Sequence, residues 1–133
     1  MEENINIGKI DIDKFKEIST EIITDEVVLT SERLEHILER HKEDLDMYFN
    51  KIEEIIRKPD YILKDSKNIN TAMVIKHIED TNVNVIIRLA VANDSIHCKN
   101  SIMTLYRIRD KNLKKLMQKN ETVFTKMNKS DII

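Results

Sequence analysis

The sequence predicts an α+β fold. N-terminal helices pack on one face of a three- to five-stranded antiparallel meander sheet, and a C-terminal helix follows. Two observations carry this reading. From Leu34 to Ile56 the apolar residues recur at helical period, and the pattern stops at Pro59. Beyond Pro59 the period drops to two, most clearly in Val83, Val85, Ile87, Leu89 and Val91, with short polar turns between the runs. Helices first and a strand meander after them define the class.

Ile5, Ile7, Ile10 and Ile12 alternate with polar neighbours, interrupted by Gly8-Lys9, as in a short strand or extended arm. Phe15, Ile18 and Ile22 fall at helical spacing and predict a short helix. Val27-Val28-Leu29 is β-branched and reads as extended. Thr30 is the N-cap candidate of the next helix, with Glu32 in its first turn. The apolar stripe keeps its phase through His41-Lys42-Glu43-Asp44, so one helix from Thr30 to Lys58 is allowed. Usual helix lengths favour a break near Lys42 instead. Tyr61 to Leu63, Thr71 to Ile78, Val83 to Val91 and Ser101 to Arg107 are the strands. Helices over 30–58 should cover the Val85/Ile87/Leu89 face. Met103 and Leu105 are the expected core residues of the last strand. Asp110 caps a final helix whose inner face is Leu113, Leu116 and Met117. The 133 residues suit a single domain, with a core over residues 5–117 and a tail over 118–133.

Composition narrows the function classes. Hydrophobic residues make up 41% and charged residues 35%, a globular balance with an aliphatic core, since aromatics are only 5%. Net charge is −2, so any nucleic-acid surface must be local. Cys98 is the single cysteine, which forbids an internal disulfide and fits a reducing compartment. No apolar run reaches membrane-spanning length, and Met1-Glu2-Glu3-Asn4 is unlike a secretory signal, so a cytoplasmic location is expected. Gly8 is the only glycine, which argues against a phosphate-cradling glycine loop. No Gly-x-Ser-x-Gly elbow occurs. His97-Cys98 lacks metal-ligand spacing, and neither a metal nor another cofactor is expected.

The stretch from Thr30 to His41 is the most informative. Arg33, His36 and Arg40 share one helix flank, a histidine between two arginines. Histidine moves protons near neutral pH, and arginine forks two donors onto a phosphate. Pairing of Arg33 and Arg40 with Glu32, Glu35 or Glu39 on a solvated helix is the competing account. His41 lies on the apolar stripe, as a core histidine or as one projecting into a cleft. On the strands, Arg88 shares a face with Asn84 and Ile86, and Thr104 and Tyr106 also point away from the core. Lys76 or His77 joins them from the preceding strand. A guanidinium, a hydroxyl and a phenol on an open face suit a phosphodiester; an ordinary solvated sheet face is the alternative. Lys111, Lys114, Lys115 and Lys119 line the last helix, as a backbone-binding patch or as a solvated face.

The run Val27-Val28-Leu29-Thr30-Ser31-Glu32-Arg33-Leu34-Glu35-His36-Ile37-Leu38-Glu39-Arg40-His41 resembles small phage- and mobile-element-associated nuclease-like domains. These are grouped with the barnase–colicin–RelE-like ribonucleases. The pattern continues with a helix, a proline and a meander ending in Met103-Thr104-Leu105-Tyr106, so the resemblance spans roughly Ile5 to Lys115. Lys42 departs from it, where such domains often carry proline. The resemblance implies a metal-independent ribonuclease, or ribonuclease-like toxin domain, of phage or mobile-element origin. RNA is the implied substrate, and a cognate inhibitor protein is a further candidate partner. The implied catalytic set is His36, His41, Arg40, Arg88 and Thr104, with Arg33, Lys76, Tyr106 and Arg107 on the substrate. His36, between two cations, suits the general base, and His41 the general acid. The competing expectation is a non-catalytic accessory module of a phage or conjugative element that binds nucleic acid or protein.

Overall fold

The computed structural model describes residues 4–126. One seven-stranded sheet runs in the order β1-β2-β6-β5-β4-β3-β7. Its strands are β1 (Asn4–Lys9), β2 (Glu26–Thr30), β3 (Tyr61–Lys64), β4 (Thr71–Ile78), β5 (Thr81–Arg88), β6 (Asn100–Ile108) and β7 (Glu121–Thr125). The block β3-β4-β5-β6 is the antiparallel meander that the alternating runs predict. β1 and β2 extend it on one side, through a short parallel pairing of β2 with β6 at Val27↔Asn100 and Val28↔Ser101. β7 extends it on the other side, antiparallel to β3. The expected tail from residue 118 is therefore corrected. Glu121-Thr122-Val123-Phe124-Thr125 is β-branched and aromatic, and it finds an open edge on β3. Residues 127–133 of that expected tail lie outside the described residues.

Helix α1 (Ser31–Tyr48) begins where predicted, with the Thr30 hydroxyl accepting from Arg33 N–H at 3.2 Å. It kinks at His41 (φ −138°, ψ 40°), one residue before Lys42. A short 3-10 turn, Phe49–Lys51, leads into α2 (Ile52–Arg57), which ends before Pro59 because proline has no N–H and excludes helical geometry from Lys58. The short helix expected over Phe15 to Ile22 is instead a 3-10 turn at Ile12–Phe15. Its sequel is diverted by Ser19, whose hydroxyl takes the Glu21 N–H. Phe15 and Ile18 are buried all the same. Gly8 sits in a bulge of β1 at φ +149°, and a Cβ there would meet the Glu53 side chain at 3.0 Å.

The near face of the sheet carries α1 and α2. Val27, Leu29, Val74, Val83, Val85, Ile87, Leu89, Ile102 and Leu105 pack there against Ile37, Leu45, Ile52, Ile55 and Ile56. Met103 does not join them. The β5/β6 register slips between Ile86 and Ile87, so Met103 is the extra residue of a bulge and stays half-exposed. Helix α3 (Asp110–Lys119) lies on the far face, where Leu113 packs with Leu63, Met73, Ile75 and Ile108. The helices thus occupy both faces, not one. The Asp110 cap is also revised, since Arg109 is the N-cap and the Asp110 carboxylate accepts from Asn82 at 2.7 Å.

Beyond Ser101, β6 has no strand on the side where β2 lies, and α1 takes that place. Arg33 donates from Nε and Nη2 to the Met103 carbonyl at 3.1 and 2.7 Å. Asp44 accepts from the Arg107 backbone N–H at 3.2 Å. Side chains of a helix thereby satisfy an edge that would otherwise be bare. At the other end of β6, the buried Asn100 amide accepts from Ala90 N–H and donates to the Thr24 carbonyl, both at 2.8 Å.

Leu89 is fully buried on the near face. Leu89→Ala should cost about 2–5 kcal/mol in denaturant unfolding. A loss well below that would place Leu89 outside the core.

Candidate active site

The register puts Arg88, Ile86 and Asn84 of β5 on the far face, opposite Ser101, Thr104 and Tyr106 of β6. Because α3 covers the β3/β4 side, the β5/β6 part of this face stays accessible beside α1. The kink in α1 completes the cluster. It takes His41 out of the apolar stripe and lays its imidazole against the Tyr106 ring, centroids 5.4 Å apart and planes inclined by 29°. His41 is thus half-buried against a far-face tyrosine, neither a core histidine nor a solvated one.

Asn84 lies fully buried beneath this pair, and its Nδ2 donates to the Tyr106 hydroxyl at 3.3 Å. Its Oδ1, like the Thr104 hydroxyl oxygen, is buried and has no hydrogen-bond partner among the described residues. Such groups normally find a partner. Burial pushes the Tyr106 phenol above its ordinary range; the Asn84 N–H pulls it back, and the Asp65 carboxylate adds to the rise. The phenol therefore remains a proton donor at neutral pH.

Arg88 lies two rows further along the same face. It donates to the Leu89 carbonyl and sits 3.7 Å from Asp94. It also lines a groove of about 370 Å³ with Asn68, Ile69, Thr71, Ile86 and Met103. His36, half-buried, and Arg40, exposed, occupy α1 before the kink, and neither makes a hydrogen bond or ion pair among the described residues. Arg33 spends two donors on the Met103 carbonyl, which makes it a brace between helix and sheet.

Two expected substrate contacts lie elsewhere. Lys76 donates to the Lys58 carbonyl at 2.8 Å, satisfying the end of α2, and lies 3.8 Å from Asp60. Arg107 is held by Asp44 at 2.6 Å and Glu43 at 3.2 Å, on the α1 side of β6. His77 faces a separate cleft beside the start of α3, its Nδ1 3.0 Å from the Asn82 amide oxygen. The group that sequence reasoning passed over is Asn84. Its signal was an amide set between Val83 and Val85 in a central strand. Among the described residues, no three His, Cys, Asp or Glu side chains converge as metal ligands would.

Residues 5–125 match the family model described as phage-Barnase-EndoU-ColicinE5/D-RelE like nuclease2. The chain belongs to this nuclease family. The match covers all seven strands apart from the first residue of β1, so the sheet face and the kinked helix both lie within the nuclease domain. No curated protein and no solved structure matches the chain. No helix among the described residues is long and apolar enough to cross a membrane.

The raised Tyr106 phenol makes a testable signature of this site. A group held protonated by the fold stabilises it below the ordinary tyrosine value of about 10. That contribution is lost as pH rises through the folded value. Ultraviolet titration should show a late-ionising phenol that is absent from Tyr106→Phe. The variant's stability should also fall less steeply in alkali. If the component lost in Tyr106→Phe titrates at the ordinary value of about 10, Tyr106 is in ordinary solvent.

Proposed function

We propose that this nuclease cleaves RNA without a metal ion, by attack of a ribose 2′-hydroxyl on the adjacent phosphate. The observation that carries the reading is the His41–Tyr106 stack. It lies beside two buried oxygens that have no hydrogen-bond partner among the described residues, with Arg88 two rows further along the same face. In this scheme His36 accepts the 2′-hydroxyl proton and the 2′-oxygen forms a bond to phosphorus. The bond from phosphorus to the 5′-oxygen breaks as His41 delivers a proton to that oxygen. The products are a 2′,3′-cyclic phosphate and a 5′-hydroxyl. Arg40 and Arg88 face the charge that builds on the phosphoryl oxygens, and the Tyr106 hydroxyl donates to them; the Thr104 hydroxyl lies buried below the face and does not reach the substrate. Arg33 acts by positioning α1, and Lys76 and Arg107 take no part.

A second reading has its own support. Arg33, Arg88 and Arg107 are all engaged within the protein, and the chain is net acidic, which suits a module that binds without cutting.

Incubation of the purified protein with mixed cellular RNA separates the two. Cleavage should persist in chelator, leave cyclic phosphate ends and spare DNA. His41→Ala should slow it by about 10²–10⁴-fold, the usual worth of a general acid. Tyr106→Phe and His36→Ala should each reduce it while the melting temperature holds. Binding without cleavage would favour the accessory module. Loss of cleavage in chelator would remove the metal-free scheme.

A further inference from the structure

Helix α3 carries Lys111, Lys114, Lys115 and Lys119, all exposed, and Arg109 precedes it. Lys111, Lys115 and Lys119 follow an i, i+4, i+8 row on the side opposite Leu113, Leu116 and Met117. No side chain of these five cations forms a hydrogen bond or ion pair among the described residues. The one acid of the helix, Asp110, is turned to the Asn82 amide.

Stability does not account for the row. Like charges four residues apart destabilise a helix, and a cation in the first turn, as Lys111 is, opposes the helix dipole. Only Lys119, in the last turn, is placed where the dipole favours it. The protein has net charge −2, yet it gathers these cations on a single element. That element crosses the same sheet face as the candidate active site. Its C-terminal end is tied to the groove rim, because Asn120 accepts from Ser66 N–H at 2.9 Å, and residues 65–70 form the loop that carries Asn68 and Ile69.

We propose that the outer row of α3 is a backbone track for the nucleic-acid strand. It would hold successive phosphates of the substrate beyond the groove at Arg88. The inference rests on the nuclease reading for its substrate. Its occupant is a polyanion in either case, chosen by charge complementarity and by continuity with the groove. The lysines stand about 6 Å apart along the helix axis, at 1.5 Å rise per residue. That spacing lets one strand lie along three of them. No base is read there, so the track adds affinity without sequence preference.

The test uses the full chain with Lys111→Gln, Lys115→Gln and Lys119→Gln combined, and an uncleavable 2′-O-methyl RNA strand of about a dozen nucleotides as probe. Each phosphate contact contributes about 0.7 to the slope of log affinity against log salt for a single strand. The triple variant should lower that slope by about 2 and weaken low-salt binding about tenfold or more. Its melting temperature should hold or rise. Cleavage of a dinucleotide, too short to reach α3, should stay within about twofold of the parent.

An unchanged salt slope overturns the proposal. So does an equal loss on the dinucleotide, which would move the lysines into the reaction itself. Binding that depends on the three lysines in a protein that cuts nothing would leave the track standing and remove the ribonuclease reading. Cleavage with no such dependence would do the reverse.

Discussion

The contact on which the site depends is the pair of hydrogen bonds from Arg33 to the Met103 carbonyl. A strand edge with unpaired carbonyls and N–H groups is a liability. Here β2 leaves β6 after two residues, and a helix closes the remainder with a guanidinium at one point and the Asp44 carboxylate at another. Hydrogen bonds to charged groups are worth about 1.5–3 kcal/mol each, more than a neutral ladder bond. They also fix the distance between α1 and β6. Only with that distance fixed can His41 reach around the edge and lie on Tyr106, a residue of the opposite sheet face.

Two local irregularities refine this placement. The kink at His41 breaks the helical phase of the apolar stripe, which would otherwise send the imidazole into the core. The bulge at Met103 shifts the β6 register by one residue, so Ile102 and Leu105 both face α1 while Thr104 and Tyr106 both face away. Each irregularity turns a side chain that regular structure would have buried, or left solvated, towards the cluster around Asn84.

These irregularities also explain how far the sequence could be read. Strict alternation in β5 made its core face and the direction of Arg88 legible, because period two survives in a strand buried by helices on one side. The cap at Thr30 and the stop at Pro59 were legible because each rests on one residue's own chemistry. What depended on distant partners was not. Nothing local in Lys76 says that it caps α2, and nothing in Arg107 says that two acids on α1 will hold it. The strand β7 was visible as a β-branched run, but its meaning depended on β3 having a free edge. Met103 was expected in the core because a bulge leaves no trace in the hydrophobic pattern. The site was therefore legible as a list of residue types on a face, and illegible as a set of contacts.

The sequence distance between the two halves of the site has a consequence for when it forms. Arg33 and Met103 are 70 residues apart, and the Asn100 bond to Thr24 spans 76. The meander β3 to β6 is built from neighbours and can close by successive hairpins, at small loop-closure cost. The helix edge, the parallel β2/β6 pair and the His41–Tyr106 stack must wait for the longest loops in the domain to close. Assembly order thus places the completed cluster late, after the sheet that supports it. A chain still emerging from the ribosome, short of β6, has the histidine but not the surface it needs, so the finished site exists only once nearly the whole domain has been made.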